Sequence, residues 1–122
     1  MKKISLLLIL LTLQSCSIIK SNSQERKIQS EIVNTLNSQS PKFSSCARKA
    51  NVFKIFNQNR IRVVLYLTID AKGTLRKFKL DDKIYPDDFA NCVFQVVDLS
   101  IFPKSEKDQH IEIEQPFIFS EK

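Results

Sequence analysis

Residues 60–70 read RIRVVLYLTID, and this stretch decides the fold. Ile61, Val63, Leu65, Leu67 and Ile69 fall on one side of an extended chain, with Arg60, Arg62, Val64, Tyr66 and Thr68 on the other. Successive side chains of a strand point to opposite faces, so the pattern predicts a strand with one face in a core. Asp70-Ala71-Lys72-Gly73 follows and holds the only glycine of the chain, where a hairpin turn calls for positive φ. Residues 74–81 then return as an antiparallel strand with Leu75, Phe78 and Leu80 as its apolar positions. The spacing from Leu75 to Phe78 departs from the two-residue period, so a bulge or a later strand start is expected there.

Upstream, Ile28, Ile32 and Leu36 recur every fourth residue and predict a helix over 24–37, with Ser21 and Asn22 as candidate caps. A second helix is expected over 41–54, capped by Ser40, opened by Pro41, and carrying Phe43, Cys46 and Ala50 near one face. Downstream, Pro86 supplies a preset φ and Asp87 and Asp88 place negative charge at the positive end of a third helix. Its stripe is Phe89, Cys92, Val93, Val96 and Val97. Ile101-Phe102-Pro103 leaves that helix, and a last strand puts Ile111, Ile113, Phe117 and Phe119 on one face. Pro116 within it argues for an edge strand or a bulge. The expected architecture is α+β, in the order α-α-β-β-α-β, with helices on one face of a three-stranded antiparallel sheet.

The first residues have a different character. Lys2 and Lys3 precede an apolar run from residue 4 to 13 that is too short to span a bilayer, which takes about 20 residues. Leu13-Gln14-Ser15-Cys16 ends the run and resembles the lipobox of bacterial lipoproteins, in which the cysteine is diacylated and becomes the first residue of the mature chain. An ordinary secretory signal with a cysteine at its end is the other reading. Residues 1–15 are thus expected to be a signal peptide, 16–27 a lipidated tether and 28–122 the domain. Several acyl chains hold a protein to a membrane durably, whereas one holds it weakly. Lipoproteins kept at the inner membrane often carry Asp after the cysteine. Ser17 stands there in this chain, so the resemblance implies an envelope location with the periplasmic face of the outer membrane favoured.

With Cys16 assigned to the lipid, the three cysteines leave Cys46 and Cys92 as a pair in a compartment that permits disulfides. A disulfide between them is expected; two buried free thiols are the alternative. Such a bond would stabilise the fold by about 4 kcal/mol on the chain-entropy estimate.

These fragments, in this order, resemble the TonB C-terminal-like domain, and within it the AgmX/PglI C-terminal subgroup. The resemblance rests on Cys46, on Leu67-Thr68-Ile69-Asp70-Ala71-Lys72-Gly73, on Asn91-Cys92-Val93, on Ile101-Phe102-Pro103 and on Gln115-Pro116-Phe117-Ile118-Phe119. Ala47 stands where the subgroup often has Tyr, and no glycine precedes the first strand. The resemblance implies a non-enzymatic periplasmic module that binds envelope proteins by adding an extended peptide to a free sheet edge. The last strand is the candidate edge, with Ile111, Ile113, Gln115, Phe117 and Phe119 as its partner-binding residues. The implied role is an accessory component of an energy-transduction, motility or transport assembly. A structural or surface-exposed lipoprotein without a dedicated peptide partner is the alternative.

Other chemistries find little support in the residues. One histidine, His110, precedes Glu112 and Glu114 on one strand face, and a metal site takes three or more converging ligands. Asp81-Asp82 and Asp87-Asp88 are explained by a turn and a helix start. The formal charge of +6 includes the two leader lysines, leaving 17 basic against 13 acidic residues beyond residue 15, or +4. That scattered excess does not make a nucleic-acid surface, and fits an anionic head group or acidic partner better. No catalytic residue, cofactor or metal is expected. Tyr66, near Arg62 on the outward face of the first strand, is the candidate surface aromatic.

Overall fold

The computed structural model describes residues 25–106 and 108–121. The expected signal peptide, Cys16, the start of the tether and the candidate caps Ser21 and Asn22 lie outside them. The chain is helical over residues 25–38 (α1), with Ile32 and Leu36 fully buried. One residue separates it from α2, Ser40–Lys49, whose N-cap is Gln39 rather than Ser40 and makes no side-chain cap bond. Pro41 remains in the first turn, where its missing N–H costs nothing.

The second helix stops earlier than its sequence suggests. Asn51 adopts the left-handed conformation at φ 55°, α3 runs over Val52–Phe56, and Asn57 repeats the left-handed turn at φ 53°. The break has a packing cause. At about 100° per residue, an unbroken helix would set Val52 roughly opposite Phe43, in solvent. With the chain redirected at Asn51, Val52 and Phe53 are both buried. Asparagine tolerates that backbone better than most residues.

β1 (Arg60–Ile69) is the centre of a three-stranded sheet of order β2-β1-β3, antiparallel on both sides, with β2 at Leu75–Leu80 and β3 at Ile111–Ser120. The fold is the expected α+β arrangement, with α3 as a short addition to the order. β3 pairs with β1 without interruption from Arg60 opposite Ser120 to Ile69 opposite Ile111. Pro116 thus sits in an edge strand and makes no bulge. The irregularity is in β2, where Thr68 faces Lys77 and Ile69 faces Leu75, leaving Arg76 as the extra residue. This is the slip seen in the spacing of Leu75 and Phe78.

α4 spans Asp87–Asp98, with Pro86 as its N-cap and Asp87 and Asp88 in the first turn. Phe89, Val93 and Val97 are its buried stripe; Cys92 and Val96 flank it, half-buried. Cys92 forms a disulfide with Cys46 of α2, at a Cα–Cα distance of 5.7 Å. All the odd-numbered apolar residues of β1 enter one core with helix residues such as Leu36, Phe43 and Phe89. Successive ring contacts run through that core from Phe43 to Phe117, Phe119, Phe89, Tyr85 and Phe56, with centroids 5.1–6.4 Å apart. They join α2, β3, α4 and α3 across the underside of the sheet.

Candidate functional site

Hydrogen-bond direction along a strand alternates with the side chains, so one bond fixes which backbone groups face outward. The Glu121 N–H donates to the Asn59 carbonyl at 2.9 Å, toward β1. Carried back two residues at a time along the unbroken register, this turns the amides of odd-numbered β3 residues toward β1 and those of Glu112, Glu114, Ile118 and Ser120 outward. Position 116 is outward as well, and a proline there forfeits no bond to β1. β3 is an edge strand, and among the described residues no strand pairs with its outer side.

The side chains named for this edge lie elsewhere. Ile111, Ile113, Phe117 and Phe119 are 3–7% exposed and belong to the core, and Gln115 is half-buried on the same side. They hold β3 in place, while the parts of the strand turned away from β1 and the core are its even-numbered backbone groups and the exposed Ile118 side chain. Sequence alternation located the strand but favoured its apolar residues, which are the ones a core takes first.

Among the described residues, helices cover one side of the sheet only. The other side presents parallel rows in register: Lys77 and Lys79 on β2, Thr68 and Tyr66 on β1, Glu112 and Glu114 on β3. Between the basic and acidic rows lies a hollow of 810 Å³, floored by Tyr66 and Thr68. Lys79 Nζ sits 5.1 Å from the centre of the Tyr66 ring, a cation over an aromatic face. The Tyr66 hydroxyl donates to Glu114 Oε1 at 3.3 Å. Loss of solvation, then the Glu114 charge and this hydrogen bond, push the Tyr66 phenol above its ordinary pKa. Tyr66 was legible as a surface aromatic; its partners depend on strand register, which neither β2 nor β3 shows alone.

The hairpin beside this face is locked by Asp70. Its carboxylate accepts from the amides of Thr74 and Lys72 at 2.9 and 3.0 Å and from Arg76 Nε at 2.8 Å. The Thr74 amide does most to hold the Asp70 pKa below the usual carboxylate range, working against burial and with the Lys72 amide and Arg76. Arg76, which reaches back to the turn in this way, is the extra residue of the β2 bulge. At the other end of β2, Asp81 accepts from Tyr85 and Lys83. Burial of Asp81 is outweighed by these bonds, so its pKa is lowered, while burial and Asp81 raise that of Tyr85.

His110 is exposed, and no group of three or more His, Cys, Asp or Glu that could hold a metal occurs among the described residues. No helix among them is long and apolar enough to cross a membrane. Comparison with protein-family models, with curated proteins and with solved structures finds no match to this chain.

Proposed function

We propose that the chain is an exported lipoprotein, held to an envelope membrane through Cys16, whose domain docks an extended segment of another envelope protein along β3. The observation that carries the reading is the position of β3: ten residues at the sheet edge, in register with β1 and with no strand on the outer side among the described residues. An unpaired edge offers main-chain donors and acceptors to an incoming strand. Pro116 removes one donor midway, so the added strand pairs with the Glu112 to Glu114 half or the Ile118 to Ser120 half. Each main-chain bond contributes about 1 kcal/mol net, which makes such a dock weak in free solution. Confinement of both partners to one envelope surface raises their effective concentration and offsets that weakness. This supports an accessory, TonB-like part of a larger assembly, as the ordered fragments imply.

A photo-reactive residue at Ser120 in the full chain is expected to capture one envelope protein in intact cells. Glu114→Pro and Ile118→Pro each remove an outward amide from one half of the edge while sparing the bonds to β1, and one of the two should abolish capture with little change in melting temperature. Capture that survives in both folded variants counts against strand addition. For the anchor, Cys16→Ser is expected to move the chain from the membrane to the soluble fraction, with an intact mass lacking acyl chains.

A further inference from the structure

The open face of the sheet is electrostatically self-complementary, and from this we infer that it binds a second copy of the same chain. Lys77 and Lys79 stand on one edge strand, Glu112 and Glu114 on the other, and each lysine is level with a glutamate across β1. All four side chains are exposed. A two-fold axis that bisects the directions of the two β1 strands exchanges the two edges and nearly preserves height along the strands. It sets Lys79 over the second copy's Glu114 and Lys77 over its Glu112, twice per dimer, and brings Tyr66 onto its own counterpart at the axis. Stacked sheets lie about 10 Å apart, a gap that a lysine and a glutamate reaching toward each other can close.

The like charges on β1 are spread apart in this arrangement, which weakens their repulsion. Aligned sheets cross at about 30°, so strands that meet at Tyr66 have separated sideways by roughly 7 Å at Arg62 and by more at Arg60. The rotation perpendicular to this axis would place lysine over lysine, so the charge rows select one dimer geometry. Three strands of this length offer on the order of 500 Å² per copy, below the roughly 800 Å² of a standard interface. The dimer is therefore weak and sensitive to salt. It uses side chains of the open face and leaves the outer backbone of β3 available, so it stands apart from the partner-docking reading.

The test is cross-linking of the full chain in cells, read in whichever fraction holds it. Tyr66→Cys, on the axis, should be joined by a short bis-maleimide into a species of twice the chain mass, whereas Ile55→Cys, exposed on α3, should not. Adding Lys77→Glu with Lys79→Glu puts four acids against four acids and should reduce the product at least about tenfold. Adding Glu112→Lys with Glu114→Lys to Tyr66→Cys should do the same. Co-expression of the two charge-reversed chains under different tags should restore it as a mixed dimer, which also shows that both remain folded. A product indifferent to the reversals, one containing a different protein, or reversed chains that each melt normally yet give no mixed dimer would overturn the inference.

Discussion

Asp70 and Gly73 carry more of the hairpin than their size suggests. Folding lowers the Asp70 pKa, so its contribution is complete above the unfolded carboxylate value near 4 and is lost as the pH falls through the folded value. Asp70→Asn should be less stable than the parent at neutral pH and show a flatter acid limb, measured by urea unfolding at a series of pH values between about 2 and 7. Equal loss at every pH would assign the effect to geometry instead of charge. Gly73 adopts φ 82°, and a Cβ there would lie 2.6 Å from the Phe102 carbonyl oxygen. Gly73→Ala is therefore expected to cost about 2 kcal/mol or more in the same assay, through backbone strain and the displaced loop. The glycine was visible in the sequence as a turn residue. The Phe102 carbonyl above it was not, because it comes from a loop almost 30 residues away.

Among the elements, α2 and α4 depend most on a link between them. Replacing both Cys46 and Cys92 by Ala should destabilise the domain by about 4 kcal/mol, seen as a lower urea midpoint that reducing agent does not lower further. A parent protein insensitive to reduction would show that helix packing alone suffices. The break between α2 and α3 makes a second test. Asn51→Gly should be tolerated, while Asn51→Val should cost about 1–2 kcal/mol, because a β-branched residue resists the left-handed region. Element types and order were readable from periodicity: the alternation of β1, the stripe of α4, even the slip in β2. The end of α2 was not readable. Nothing local forbids the helix from continuing; burial of Val52 and Phe53 redirects it.

For the molecule as a whole, the buried core of the described residues begins at Ile32, sixteen positions beyond Cys16, with the half-buried Ile28 packed against it. Cys16→Ser should accordingly keep the parent melting temperature while losing membrane attachment. A large drop in melting temperature would mean that the leading segment takes part in the fold. The sequence by itself determined the class of fold, and it narrowed the last strand to an edge or a bulge and Cys46 with Cys92 to a disulfide or two buried thiols. Each follows from local periodicity or from residue types that restrict the backbone and the chemistry. Only the tertiary structure decided that the apolar residues of β3 serve the core while its even-numbered backbone faces outward. It also decided that Lys77 and Lys79 stand level with Glu112 and Glu114. Both depend on strand register, which is set jointly by three segments packing on one core and is written in none of them separately.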